Sequence, residues 1–441
     1  MPTSNDMQKM LDIQDENILF KDNCVTYGTH KGKKCKEIHC KLTYTPQKCR
    51  KCGIKNHDFR IFKNGTQTSR VTFPISGIHL TYLLIKKQRF YCTACECSFT
   101  ARTPIVEKNC FISNYVKANI LSQSSTAKSK KDISKETNVS QVTVQRVIDK
   151  GSIPYRPYYL NLPANLSFDE FKYASGKMAF EYINAETGDI LDILPARDGR
   201  TLRNHFTTRY SLKQRNRVQT ITIDMNSSYI GVIKDLFPKA KIIIDRFHII
   251  QLINRAMNKT RVKVMNQLNT SNSEDQKKYR RLKKYWKKLL KSATDLAYTT
   301  YDYYPMFGQR LESAIVSEML EYNQELKDTY DVYQGIIKAM NNNDFKHLNA
   351  LLYRRYDNDL SNYMRTSLKT LRKHLPYIGN TIKYPYNNGR LEGMNNKIKV
   401  LNRVSYGYRN FYNFKTRIIL HFNMKEKSNK NRSPSQLSLT A

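Results

Sequence analysis

A chain of 441 residues with one tryptophan, 37 acidic side chains against 75 basic ones, and no run of eighteen consecutive apolar residues is short of several things. Each shortage excludes a class of protein. Without such an apolar run, no membrane-spanning helix is expected. Met1–Phe20 is polar and acidic and lacks an apolar core behind a basic segment, so it does not read as a secretory signal. The expectation is a soluble cytoplasmic protein with reduced thiols. The shortage of acids leaves a formal net charge of +38 and a pI near 9.8. A surplus of that size favours a polyanionic partner, because neutralising phosphates releases counterions, and double-stranded DNA is the partner expected. The length suits two to four domains, each with its own core.

All nine cysteines fall before residue 111, among short strand-like pieces such as Ser69–Phe73 and Gln88–Tyr91. In a reducing compartment they are better read as ligands or core residues than as disulfides. Cys49-Arg-Lys-Cys52-Gly and Cys92-Thr-Ala-Cys95 are two CxxC units separated by strand-like sequence, the spacing of two zinc knuckles on a ribbon. Residues 1–110 are therefore expected to be a zinc-binding ribbon domain with Cys49, Cys52, Cys92 and Cys95 on Zn2+. Cys97, two residues on, competes with Cys95 for the fourth position.

From 111 to 155 the pattern turns helical. In Asp132–Ile148, Ile133 and Val139 are placed to pack against Val144, Val147 and Ile148, with Ser140 capping a second helix. This predicts a helix-turn-helix whose Gln141, Thr143, Gln145 and Arg146 face a major groove. Helix pairs of this kind also occur as plain packing units.

After the Pro- and Tyr-rich linker Gly151–Pro163 the periodicity becomes strand-like at Leu166–Asp169, Lys177–Asn184 and Asp189–Leu194. A helix then leads to the strand Val218–Ile223, another helix, and the strand Lys241–Ile244. Three antiparallel strands followed by alternating helices and strands predict a mixed α/β sheet over 156–260. Arg246 to Pro376 reads as helical throughout, giving an all-α insertion over 261–380. Within it, Lys277–Lys291 has apolar residues at helical spacing and an otherwise cationic face, read either as a solvated surface or as a contact for phosphates. Residues 381–425 close the mixed sheet's domain, and 426–441 are expected to be a disordered tail.

Three carboxylates stand out. Asp169 and Asp224 end apolar strands, where α/β sheets place their sites, and Glu392 opens a helix. Cutting a phosphodiester needs an activated oxygen, a stabilised leaving oxygen and neutralised phosphate charge, which divalent ions held by carboxylates supply. Magnesium or manganese is expected at Asp169, Asp224 and Glu392. In the last helix Asn388 is the expected cap; Leu391, Met394, Ile398 and Leu401 form a buried stripe; and Asn396, Lys399 and Arg403 continue the Glu392 side toward DNA. Asp245 and His248 follow a further strand. They are read as supporting groups around the ligands, with Asp245 as the alternative to Asp224.

The stretch Asn388-Gly-Arg-Leu-Glu392-Gly-Met-Asn-Asn-Lys-Ile-Lys-Val-Leu-Asn-Arg403-Val-Ser-Tyr-Gly407-Tyr-Arg409-Asn-Phe411 resembles the C-terminal signature of ISL-three family insertion-sequence transposases, as does Ile244-Asp245-Arg-Phe-His248. The resemblance covers nearly the whole chain. It departs at Arg390-Leu391, where a small residue or proline is more usual, and at Glu96-Cys97, where a glycine usually follows the second knuckle. It implies an RNase H-like catalytic domain with a DDE triad at Asp169, Asp224 and Glu392, interrupted by a helical insertion. It also implies a bacterial, nucleoid-associated enzyme that binds terminal inverted repeats and performs metal-dependent strand cleavage and transfer, as a homo-oligomer when two ends are synapsed. The alternative is a sequence-specific DNA-binding regulator or a catalytically decayed relative.

Overall fold

The computed structural model describes residues 4–225, 228–356 and 360–430. The chain divides into two compact units: one runs to Arg156 and resumes at Lys397, and the other is Pro157–Asn396. The segments expected as 1–110 and 111–155 thus fall in one unit, and the closing segment expected over 381–425 is divided at 396/397. No described helix is long and apolar enough to cross a membrane.

The first unit begins with α1 (Ser4–Met10) and a sheet of β1 (Ile18–His30), β2 (Lys33–Leu42), β3 (Ile61–Ser76), β4 (His79–Cys92) and β5 (Cys97–Thr100). The order is β1-β2-β4-β3, with β5 on β4. Ile18, Ile38, Leu42, Val71, Leu83, Ile85 and Phe90 alternate inward and form its core. Three helices follow: α2 (Asn114–Ser124), α3 (Lys130–Thr137) and α4 (Gln141–Gly151). Asn138 turns the chain in the left-handed region (φ 53°), and the Ser140 hydroxyl accepts from the Thr143 N–H to start α4. Ile133, Val144 and Ile148 are buried together, with Val139 and Val147 packed against them, as their spacing predicts.

The second unit holds β6 (Asn165–Ala174), β7 (Lys177–Asn184), β8 (Ile190–Leu194), α5 (Gly199–Arg209), α6 (Leu212–Arg215), β9 (Thr220–Ile223), α7 (Ser228–Leu236) and β10 (Lys241–Ile244). The sheet order is β10-β9-β6-β7-β8; β6, β7 and β8 form an antiparallel meander, while β9 runs parallel to β6 and β10 parallel to β9. Phe168, Phe180, Tyr182, Phe206 and Phe237 fill one face with edge-on and stacked rings.

A helical layer follows: α8 (Arg246–Gln267), α9 (Ser273–Lys284), then β11 (Tyr301–Tyr304), β12 (Gly308–Leu311), α10 (Glu312–Leu320), α11 (Gln324–Asn341), α12 (Phe345–Tyr353) and α13 (Asn362–Lys383). Three expectations are corrected here. The insertion is not wholly helical, because β11 and β12 form an antiparallel hairpin; the Tyr-rich β11 has strand propensity, and Gly308 (φ 72°) accepts a turn conformation closed to most side chains. The cationic helix ends at Lys284, where the bulky Tyr285 turns into the core and only a short 3-10 turn, Lys288–Leu290, follows. Finally, α13 does not end at Pro376 but passes through it. Beyond the proline Thr381 donates to the Ile244 carbonyl (2.6 Å) and Asn380 to that of Ile242 (2.8 Å), so contacts with the edge strand β10 offset the missing helical hydrogen bond.

The last helices are α14 (Gly389–Val404) and α15 (Phe411–Lys430). In the first unit, Leu420 of α15 enters the α2–α4 core, and buried Arg417 donates to the Thr126 and Lys128 carbonyls. Helix runs on to Lys430, into the segment expected to be a disordered tail; residues 431–441 of that tail lie outside the described residues.

Candidate active site and metal centres

The register of the second unit's sheet decides which acids meet. Ser167 pairs with Thr222 across β6 and β9, and Ile223 with Ile244 across β9 and β10. Two steps beyond the first pair lie Asp169 and Asp224, and one step beyond the second lie Asp224 and Asp245. All three carboxylates therefore stand level, Asp224 and Asp245 just past the carboxyl ends of β9 and β10, whereas Asp169, expected to end its strand, lies midway along β6, which pairs with β7 on to Ala174. Asp245 also starts α8 by accepting from the Phe247 N–H, which brings His248 round in the first turn. His248 Nε2 lies 2.9 Å from Asp224 Oδ1, and one ligand atom each from Asp224, Asp245 and His248 lie within 4.8 Å of one another.

The start of α14 covers the same strand ends. The Asn388 side-chain amide donates to Asp224 Oδ1 and to the Phe168 carbonyl, both at 3.3 Å, and its backbone N–H bonds the Asp245 carboxylate. About two turns further on, Asn395 donates to Asp169 Oδ2 at 2.7 Å. The expected capping side chain at Asn388 is thus spent on Asp224 and the Phe168 carbonyl, and Asn387 takes the Gly389 N–H instead. At about 100° per residue, positions 388, 392 and 395 fall within about 60° of one another around the helix. Glu392 shares the face that holds Asp169 and Asp224; its side chain is exposed and has no ion-pair partner among the described residues.

Asp169 is pushed up to about 7 by burial and then by the Asp224 carboxylate, although the Glu170 N–H and Asn395 amide bond its charged form. Burial also raises Asp245. His248 is raised by its hydrogen bond to Asp224, so that the imidazolium is favoured there. Directly across from Asp169 on β7 is Glu181, fully buried, with neither carboxylate oxygen hydrogen-bonded; burial and then Asp169 push it well up. Sequence reading missed Asn395 and Glu181. The i, i+7 spacing of Asn388 and Asn395 around Glu392 was a signal for the first, whereas nothing local distinguishes Glu181 from an ordinary strand residue.

The first unit brings Cys49, Cys52, Cys92 and Cys95 together with all sulfurs within 4.8 Å. The Cys49–Cys95 and Cys52–Cys92 sulfurs are 3.7 and 3.8 Å apart. A tetrahedral ion with metal–sulfur bonds of about 2.3 Å requires sulfurs about 3.8 Å apart, so the set fits zinc. Cys97 opens β5 opposite Cys92 and is outside the group. Burial opposes ionisation of Cys49, but the Cys52 and Lys51 N–H groups and the neighbouring thiols outweigh it and bring Cys49 down to about 6.

On α4, Gln141 and Arg146 are exposed and Thr143 and Gln145 half-buried; Gln145 is engaged by Lys130 and Asp149. Asn396, Lys399 and Arg403 lie along α14 and are all exposed.

A family model described as a transposase, of the DDE type named for ISL-three, matches residues 166–418. The chain is 26% identical over 253 residues to the transposase for insertion sequence element IS1001 of Bordetella parapertussis, covering 55% of this chain and 57% of that protein. It is 39% identical over 109 residues to a protein of Lactococcus lactis subsp. lactis named an ATP-dependent protease, covering 25% of this chain and 34% of that one. The chain thus spans about a third and a little over half of the lengths of these relatives.

Proposed function

Because the chain belongs to the ISL-three family of DDE transposases, we propose that it binds the terminal inverted repeats of its insertion sequence and catalyses metal-dependent cleavage and strand transfer there, using Asp169, Asp224 and Glu392. The observation that carries this reading is the pair of asparagines on α14. Asn388 and Asn395 hold Asp224 and Asp169, and Glu392 lies on the same face of that helix. The topology supports an RNase H-like sheet: an antiparallel meander flanked on one side by two parallel strands, with acids level on three adjacent strands.

The donor set fits a hard divalent cation. Like-charged carboxylates crowded in a half-buried place hold either a proton, as Asp169 does up to about pH 7, or a metal. Magnesium or manganese, when bound, supplies Lewis-acid activation and neutralises phosphate charge. The chain's own residues fix the carboxylates around it: Asn395 and the Glu170 N–H bind the two oxygens of Asp169, and Asn388 and His248 both bind Asp224 Oδ1. The tight Asp224–Asp245–His248 grouping favours a second reading of the ligand set, in which Asp245 or His248 joins Asp224 directly. The four thiols of the first unit hold zinc in this proposal. The α4 side chains Gln141, Thr143, Gln145 and Arg146 contact the repeat, with Asn396, Lys399 and Arg403 serving the cleaved strand.

The test is strand cleavage of labelled linear DNA carrying the flanking repeats of the protein's own gene, with magnesium or manganese, wild type beside Glu392→Gln. Metal-dependent nicks at the repeat boundary are expected in the wild type alone, with end binding retained in the variant. Cutting by Glu392→Gln would refute the assignment of the third acid. Binding without cutting by either protein supports the regulator reading instead.

A further inference from the structure

The β11–β12 hairpin of the second unit has a use that phosphate chemistry leaves open. Strand alternation sends Tyr304 inward, where it is buried and meets Lys288, whose ammonium lies 4.6 Å above its ring. The loop is clamped as well: Arg281 of α9 donates twice to the Met306 carbonyl, at 3.2 and 2.9 Å, and stacks on Phe307 at 4.3 Å. At the hairpin's far end, Lys288 and Lys291 pair with the buried carboxylate of Glu312. The hairpin is therefore rigidly mounted on the end of the cationic helix.

Its other face is aromatic and open. Tyr301 and Tyr303 point the same way along β11 and are 60% and 75% exposed, and Tyr298 just before them is 56% exposed. Two tyrosines two apart on a strand are about 6.5–7 Å apart, roughly twice the base-stacking rise of ~3.4 Å. Exposed aromatic rings side by side on one strand face offer flat area on which bases can stack. The adjoining chain sets the charge of that something: Arg280, Lys283, Lys284 and Lys287 are exposed and have no carboxylate partner among the described residues.

We propose that Tyr301 and Tyr303 form a stacking platform for unpaired bases of a DNA strand, with Arg280, Lys283, Lys284 and Lys287 holding that strand's phosphates. The inference rests on the transposase reading for its choice of nucleic acid. Aromatic faces accept any base, so the platform is insensitive to sequence and selective for single-stranded over duplex DNA.

The experiment measures binding of full-length protein to a fluorescent oligothymidylate by anisotropy, with a duplex of equal length in parallel. Tyr301→Ala/Tyr303→Ala is expected to weaken single-strand binding tenfold or more and leave duplex binding unchanged, while Tyr301→Phe/Tyr303→Phe retains both. Photocrosslinking to bromouracil-substituted strand is expected to label the peptide containing Tyr301 and Tyr303. Unchanged single-strand affinity in the alanine variant, equal loss in the phenylalanine variant, or crosslinks confined to other peptides each overturn the proposal. Should the alanine pair fail to fold, the phenylalanine pair and the crosslink still decide. None of these readouts needs cleavage, so a failure of the catalytic reading in the Glu392→Gln assay is seen separately.

Discussion

Asp169→Asn is the substitution that most directly probes the charge crowding at the site. In the unfolded chain this carboxyl ionises near 3.8, and in the fold near 7. Between those values the folded state binds more protons than the unfolded one, so stability falls as pH rises, and the loss is complete above 7. The gap of about three units, at 1.36 kcal/mol each, gives roughly 4 kcal/mol as an upper figure, and about 2–4 kcal/mol after allowing for the partial exposure of the side chain. Asparagine removes that charge while keeping an oxygen for the Glu170 N–H, and the Asn395 amide can turn to meet the new group because its own oxygen is buried without a partner. Metal-free Asp169→Asn is therefore expected to be more stable than the wild type at pH 8 and equal to it near pH 4. In thermal unfolding the difference at pH 8 should be on the order of 5–10 °C. Added magnesium or manganese should raise the wild type's transition and leave the variant's unmoved. A variant less stable at pH 8, or one whose stability has the wild type's slope between pH 4 and 7, would refute the reasoning.

Three further outcomes are expected. Asn395→Ala removes the donor on Asp169 Oδ2, so half-maximal cleavage should need several-fold more metal while binding to the repeats is unchanged; an unaltered metal titration counts against the positioning role. Cys92→Ser should lower bound zinc measured by atomic emission from one per chain to near none and loosen the first unit to proteolysis, and full zinc retention would point to a ligand set that includes Cys97. Glu312 is held down to about 2: its burial works against ionisation, but Lys288 and Lys291 outweigh it. Its contribution is thus present above pH 4.5 and lost as pH falls toward 2. Glu312→Gln should cost about 1–3 kcal/mol at pH 7 and nearly nothing at pH 2, read by urea unfolding at the two pH values.

Part of the candidate site is legible in the sequence alone. The CxxC pairs announce themselves because a metal's ligands come in short local runs on turns, where spacing alone carries chemistry. Asp224 stands where an apolar run ending in an acid marks a strand leading to a sheet's carboxyl edge, whereas β6 runs on past Asp169 to Ala174; the Ile133–Ile148 pattern is legible because helical packing repeats every three to four residues. Other features had no local signature. The hairpin at Tyr301–Leu311 lies in a stretch that reads as helical; its tyrosines and Gly308 favour a turn between strands only weakly on their own, and Arg281 and Lys288 anchor it from elsewhere in the chain. Asn388 looked like a helix cap, since a cap needs only its own neighbours, yet Asp224 and the Phe168 carbonyl, from two distant strands, claimed its side-chain amide.

The sequence by itself determined the types of chemistry present: a surplus of cations for phosphate, four thiols for a soft ion, and carboxylates for a hard one. Tertiary structure alone decided which of them act together. Strand register set Asp224 level with both Asp169 and Asp245 and put Glu181 against Asp169, and α15 carried Leu420 and Arg417 to the α2–α4 helices almost three hundred residues earlier in the chain. The physical reason is that propensity and periodicity act over a few residues, whereas the charge a carboxylate carries depends on every dipole and ion within several ångström, whichever part of the chain supplies them.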